Sequence, residues 1–384
     1  MDFELTTEQH AMRDSVRRMV DRDIQPVLDA NDPDHPLPKA EYLKILKAAA
    51  GLGLTAVRIP ESAGGSGLRL LDYGLMAEQV PPVIMLNLMV HDACITRLHA
   101  EAAPAERDRL LPGLIAGERI GCTAATEPAA GSDPRGVRTR LRQDGDALLL
   151  DGEKCFVTAV SVCDVVIVTC SEGADADGRN RLAKVFVEPD VSPFTTREIE
   201  GTGLRQGYWG EAVFEDCRIP AANRLGAEAP AMEAMHHIWL GNRPLLGLMA
   251  VHLAQQAFDK ALEYAGIREQ FGKPIGAHQL IQKHLSDMAA AIAASRLVCY
   301  DALSHIDHGR PAEGASAMAK RFAIESCTRA ATLAMEVFGG MGVSREAGLE
   351  RLVRDIRMLV PPDGTNEILT LIHGRELTGL SALR

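Results

Sequence analysis

Residues 359–369 read LVPPDGTNEIL, in which Asp363 is set between a Pro-Pro pair and a Gly-Thr that opens a helix. Taken as local structure, this is a turn. The prolines stiffen the chain, Asp and Gly supply turn chemistry, and Asp363 or Thr365 caps the helix that follows. Taken as chemistry, the same turn presents a carboxylate to a substrate. Three further stretches carry groups suited to a ligand. TAATEPAAGSD (123–133) leaves a strand with Thr126, Ser132 and a small-residue turn, whose backbone N–H groups suit a planar or phosphate-bearing ligand. GEKCFVTA (152–159) places Phe156 and Thr158 so that one covers a ring face and the other bonds a ring nitrogen, though Phe-Val-Thr is also ordinary strand composition. IREQFGKPIGAHQ (267–279) brings Arg268, Phe271, His278 and Gln279 just past a helix, where a guanidinium matches phosphate oxygens or simply ends a solvated helix.

Other motifs are excluded by context. The Gly-Gly-x-Gly of EVFGGMGVSRE (336–346) follows a helical pattern at the wrong spacing for a dinucleotide fingerprint, and a helix end with a left-handed glycine accounts for it. The GGSG at 64–67 neither follows a strand nor carries a P-loop lysine, and reads as a loop. Twelve histidines form no HExxH pair, Ser132 lies in no nucleophile elbow, and no metal site is expected.

The elements that must position these groups fall into three segments. Residues 1–118 carry a helical period: Met12, Val16, Val20 and Ile24 fall on one face, PKAEYLKILKAAAGLGL ends in a glycine stop, and a long apolar helix follows ESAGGSGLRLLDYG. Between 119 and 225, short β-rich runs such as CFVTAV, DVVIVTC and AKVFVEP alternate with turns such as QDGD and ADADGRN, as in an antiparallel sheet. From 226 to 384 the helical period returns, with Leu246, Met249, Leu253, Ala257 and Ala261 on one stripe and two further long amphipathic helices, as in a bundle. The fold class expected is α+β, mostly α.

The chain has 384 residues and a net charge of −11, a balance that repels nucleic acid and anionic membranes. Its eight cysteines form no CxxC pair, as expected of core thiols in a reducing compartment. No apolar run reaches the ~18 residues of a membrane span. The N-terminus, amphipathic and opening with acids, resembles no targeting segment. These features together predict a cytoplasmic protein.

The stretches quoted above, taken in order with IPESAGGSGL, VFEDCRIP, the initial LTTEQ and the final HGREL, resemble the acyl-CoA dehydrogenase family over nearly the whole chain. The resemblance implies an N-terminal helical domain (1–118), a middle antiparallel β domain (119–225) and a C-terminal four-helix bundle (226–384). It also implies FAD as cofactor, an acyl-CoA substrate, a homo-oligomer, usually a tetramer, and an electron-transfer flavoprotein as electron acceptor. Thr123, Ala125, Thr126, Gly131 and Ser132 would line the flavin, and Phe156, Val157 and Thr158 would shield and bond its N5 edge. Arg268, Phe271, His278 and Gln279 would reach the FAD of a neighbouring subunit. Glu336, Gly339 and Gly340 match a family Gln-x-x-Gly-Gly, with Glu in place of Gln, and Thr365, Asn366 and Glu367 would complete the cofactor site. Arg243, Ser132 and Gly364 would meet the thioester.

The activity implied is α,β-desaturation: a carboxylate removes the α-proton while a hydride leaves Cβ for flavin N5. Most relatives place a Glu immediately before Gly-Thr; here the matching residue is Asp363, one methylene (~1.5 Å) shorter. The alternative position on an earlier helix holds Asn242, which cannot act as a base. The shorter acid implies a closer backbone, a branched, cyclic or bulky substrate, or a subunit that binds FAD or acyl-CoA without catalysis. A flavin monooxygenase on the same fold is a further alternative, and it would need no carboxylate at 363.

Overall fold

The computed structural model describes residues 4–226 and 231–382. Contacts divide the chain into two compact units, one of Met1–Arg69, Val83–Gly201 and Arg205–Ile238, the other of Leu70–Pro82, Thr202–Leu204 and Trp239–Arg384.

The first unit begins with α1 (Thr7–Met19), whose start follows from its sequence: Thr6 accepts from the Gln9 amide at 3.2 Å while the Gln9 side chain accepts from the Thr6 amide at 3.0 Å. A four-residue apolar repeat drifts by ~40° per step on an α-helix. A π turn at Val20–Ile24 takes more residues per revolution, and Val16 and Ile24 are both fully buried. Then come α2 (Gln25–Ala30) and α3 (Lys39–Ala50), which stops at Gly51 as its glycine-rich tail predicts. The long apolar helix expected after ESAGGSGLRLLDYG is α5 (Pro82–Glu101); a shorter helix, α4 (Leu70–Ala77), precedes it and is kept separate because Pro81 and Pro82 cannot continue the hydrogen-bond ladder. α4 belongs to the second unit; α5 and α6 (Pro104–Ile115) belong to the first.

The strands are β1 (Gly121–Ala124), β2 (Arg140–Asp144), β3 (Ala147–Thr158), β4 (Val165–Ala174), β5 (Asn180–Val187), β6 (Thr195–Glu198), β7 (Trp209–Pro220) and β8 (Arg224–Leu225). They form one sheet in the order β6-β7-β3-β2-β4-β5-β8, with β1 added on β4. The expectation of an antiparallel sheet needs correction, since β1 and β2 both pair with β4 in parallel and the sheet is mixed. Forty residues separate the end of β1 from the start of β4 in sequence (125–164), long enough for a crossover that no hairpin turn would permit. Val165–Cys170 is buried on both faces, in keeping with its unbroken apolar run. Ile95, Leu98, Leu110 and Leu114 of α5 and α6 close one core with Val165, Ile167 and Phe186.

The second unit holds α4, most of α7 (Ala231–Ile267), α8 (Gln279–Asp307), α9 (Glu313–Phe338), α10 (Leu349–Met358) and α11 (Asn366–Thr378), with a small hairpin of β9 (Glu269–Gln270) and β10 (Lys273–Pro274). All five α7 stripe residues named from the sequence are buried. Asp307, at the end of α8, accepts from the amides of Leu70 and Leu71 at 2.7 and 2.9 Å, which satisfies and charge-matches the start of α4.

Candidate functional site

The Asp363 turn is built by its prolines and by two buried cations. Pro361 and Pro362 have no N–H to enter a ladder, so α10 ends and the chain turns before α11. Asp363 has φ +53° and Gly364 φ +108°, a left-handed pair in which the second angle calls for glycine. Of the two capping candidates, Thr365 is the one used, its side chain accepting from the Ile368 amide at 3.5 Å. The carbonyls of the turn point at cations. Lys320 Nζ, fully buried on α9, donates to the oxygens of Val360 (2.9 Å), Pro362 and Gly364 (2.7 Å). Arg243 Nε, on α7, donates to the Asp363 oxygen at 3.0 Å. Burial pushes the Lys320 ammonium down to about 7, opposed by the neighbouring Asp363 carboxylate and reinforced by Arg243. Burial likewise lowers Arg243 from its ordinary value, with Asp363 and then Glu313 opposing. Asp363 Oδ2 is itself buried and has no hydrogen-bond partner. A buried carboxylate oxygen left unpaired is costly, and it leaves an acceptor open to a donor.

The second constellation lies on the sheet of the first unit. At β3 the register against β7 slips between Lys154 and Val157, so three steps on β3 oppose two on β7. This bulge turns the Phe156 side chain out of the sheet, at φ +58°. Phe156 is 55% exposed and stacks on Trp209 with ring centroids 5.1 Å apart, while Val157 is buried and Thr158 half-buried. The 123–133 turn is tied to β3 from below. Lys154, fully buried, donates to the Ala125 oxygen at 2.9 Å and to Glu127 at 2.8 Å. Glu127 also accepts from the amides of Arg138 (2.7 Å) and Thr139 (2.9 Å). Burial works against the Glu127 charge, but these bonds outweigh it and hold the carboxyl below its usual range; burial lowers Lys154. Above this anchor Thr126 is half-buried, Gly131 and Ser132 are exposed, and a Cβ at Gly131 would find its nearest neighbour only at 3.9 Å.

The third constellation belongs to the second unit. The β9–β10 turn carries Phe271 at φ +54° and Gly272 at φ +75°, a primed turn with a bulky aromatic in the left-handed region. Phe271 is 94% exposed, edge-on to His278 at 5.9 Å. Arg268 and Gln279 are exposed beside it. Gly339 and Gly340 are exposed with open space where a Cβ would stand. Glu336 is exposed and lies 3.9 Å from His284. Asn366 donates to Glu325 at 3.1 Å and keeps a buried Oδ1 without a partner; Glu367 is exposed in the first turn of α11.

Comparison with known proteins decides the family. Residues 6–118, 122–217 and 231–378 match the N-terminal, middle and C-terminal domains of acyl-CoA dehydrogenase. The chain belongs to the acyl-CoA dehydrogenase family. It is 34% identical to the probable acyl-CoA dehydrogenase YngJ of Bacillus subtilis, over 98% of this chain and all of that one. It is also 34% identical to the benzylmalonyl-CoA dehydrogenase of Aromatoleum aromaticum, over 98% of this chain and all of the relative. Among solved structures, the FAD complex of PigA superposes with a TM-score of 0.90 at 27% identity, covering 98% of this chain and 99% of that one.

Members of this family are oxidoreductases that bind FAD. The residues here suit such a group: an aromatic held outward by a bulge, a glycine-bearing turn open above its surface, exposed glycines at 339 and 340, and an arginine at 268 with no carboxylate partner among the described residues. Sequence reasoning did not single out Lys320, Glu127, Lys154 or Trp209. Lys320 had a detectable signal, being a lysine on the stripe of Ala317, Ala323, Ile324 and Cys327, where the helical period demands an apolar side chain.

Proposed function

We propose that this chain is an FAD-dependent desaturase of acyl-CoA thioesters in which Asp363 removes the α-proton. The observation that carries the reading is the turn itself: a carboxylate with a buried, unpaired oxygen on a backbone pinned by Arg243 and Lys320. When bound, FAD would accept the hydride released from the β-carbon. Asp363 would take the α-proton onto its open oxygen. The backbone N–H beside it at Gly364 would polarise the thioester carbonyl, with Arg243 and Ser132 near the CoA-bearing end.

Thr123, Ala125, Thr126, Gly131 and Ser132 would line one side of the flavin, with Phe156, Val157 and Thr158 along its N5 edge. Val157 would contribute through its backbone, since its side chain lies in the core. Arg268, Phe271, His278 and Gln279 would hold the cofactor of a second copy of the chain, with Glu336, Gly339 and Gly340 beside them. Thr365, Asn366 and Glu367 would close the site. The exposure of Ile267 (72%), Phe271 (94%) and Leu280 (72%) supports a homo-oligomer, proposed as a tetramer. Domain boundaries near residues 118 and 225, an electron-transfer flavoprotein as acceptor and a cytoplasmic location complete the proposal. The eight buried, unpaired cysteines support a reducing compartment. No described helix is long and apolar enough to cross a membrane.

A shorter acid fits a substrate whose α-carbon sits close to the turn, and branched, cyclic or aryl-bearing thioesters are the proposed class. The test is anaerobic addition of butyryl-, isobutyryl-, cyclohexanecarbonyl- and 3-phenylpropanoyl-CoA to the yellow holoenzyme. Flavin bleaching by at least one is expected; bleaching by none would leave the chain a binding subunit.

A further inference from the structure

The Asp363 backbone occupies two successive left-handed positions and follows two prolines that have no N–H to bond with. Such a backbone persists only where its surroundings over-determine it. Here the determinant is chemical. Carbonyls 360, 362 and 364 straddle the acid, and all three accept from the same nitrogen, Lys320 Nζ, which has three hydrogens to give as an ammonium. Arg243 takes the intervening carbonyl, that of Asp363 itself. Lys320 is fully exhausted by the turn and fully buried, so it is no surface ion pair, and it stands among the buried residues of α9.

We propose that Lys320 is the positioning residue for the base, fixing the backbone of the turn so that the short Asp363 side chain reaches the α-carbon. This rests on the reading of Asp363 as the base. An acid one methylene shorter has one fewer rotatable bond with which to recover from a displaced backbone, so its dependence on the tether exceeds that of a glutamate. A displacement of ~1 Å costs about 100-fold in rate, and that loss falls on the chemical step because Lys320 points at the turn's carbonyls rather than at a ligand.

The test is a cycle of Lys320→Met and Asp363→Glu, read by stopped-flow reduction of the bound flavin with whichever thioester of the panel above reduces wild type fastest. Lys320→Met is expected to slow reduction about 30- to 100-fold, with the thioester Kd changed less than about threefold. The double variant is expected to reduce about tenfold faster than the product of the two single losses, because the longer acid tolerates the loosened turn. Amide hydrogen exchange of the peptide covering 357–368 should accelerate in Lys320→Met while that of α8 is unchanged.

A reduction rate within threefold of wild type, or losses that simply multiply, would overturn the assignment. Should Lys320→Met not accumulate as folded protein, Lys320→Arg carries the test. It keeps the charge without a single nitrogen facing three carbonyls, and near-wild-type reduction in it also refutes the proposal. Asp363→Ala separates the two levels: if it still reduces flavin, or if no thioester reduces wild type, the base reading falls and this inference with it. If only Lys320 proves dispensable, the base reading stands alone.

Discussion

Replacing Lys154 by Met tests whether the cradle on the sheet is held by the buried pair beneath it. The substitution keeps the length of the side chain and removes the ammonium. It leaves the Ala125 carbonyl without its donor at 2.9 Å and Glu127 without its cation at 2.8 Å, both in a site where Lys154 is fully buried and Glu127 5% exposed. Breaking a buried ion pair from one side costs about 3–5 kcal/mol. Glu127 keeps two amide donors, from Arg138 and Thr139, so the lower end, about 3 kcal/mol, is expected. For a unit of this size that is a fall in Tm of about 6–12 °C. The turn at 123–133 loosens with it, and FAD affinity should fall at least about tenfold. Differential scanning fluorimetry and flavin titration of the apoprotein read the two effects. Adding Glu127→Gln to Lys154→Met removes the stranded charge and should recover more than half of the lost stability. A single variant within about 2 °C of wild type, or a double variant worse than the single, would refute the account of the cradle.

Asp363→Glu is expected to slow flavin reduction by about 10- to 100-fold, because an added ~1.5 Å overshoots a site shaped for the shorter acid and the φ of +53° suits Asp better; unchanged or faster reduction by the same thioester would count against that geometry. Phe156→Ala should leave Tm within about 2 °C, since loss of stacking on Trp209 at 5.1 Å offsets an exposed aromatic, while flavin release becomes faster; a large Tm loss with intact flavin binding would make Phe156 a core residue instead. Glu188 accepts from Arg109 at 3.0 and 2.5 Å and from Arg119 at 2.7 Å. Burial opposes its charge, but the two guanidiniums outweigh that and hold the carboxyl below its ordinary range. A depressed carboxylate stabilises the fold above its unfolded pKa, ~4.3, and that contribution drains away as pH falls through the folded value. Glu188→Gln should therefore cost about 1–2 kcal/mol at pH 7 and progressively less below pH 4, as acid-titrated melting curves would show.

The order of helices, strands and helices was readable because each segment keeps one hydrophobic period, and the five α7 stripe residues are all buried. The parallel pairings of β4 were not readable, since alternation along a strand says which face is buried and nothing about which neighbour lies alongside. β6 left no trace because all four of its residues are exposed on an edge strand and carry no alternation. The chemistry-bearing residues were found through motifs: Asp363 by its turn, Phe156 and Arg268 by their flanking residues. The contacts that support them were not readable, although Lys320 stands out on its apolar stripe, because Lys320 and Lys154 act on backbone carbonyls 40 to 44 and 29 residues away in the chain. A lysine whose partners are carbonyls has no partner residue type to search for.

The central claim is that the carboxylate of residue 363 performs the proton abstraction, and one comparison meets it directly. Wild-type holoenzyme and Asp363→Asn, which is near in shape but unable to accept a proton, are mixed anaerobically with the same saturating thioester, and the rate of flavin bleaching is recorded. The account predicts that both bind the thioester, and that reduction in Asp363→Asn falls by about 100- to 10,000-fold. Reduction of the Asp363→Asn flavin within tenfold of wild type would contradict it and return the turn to a purely structural role.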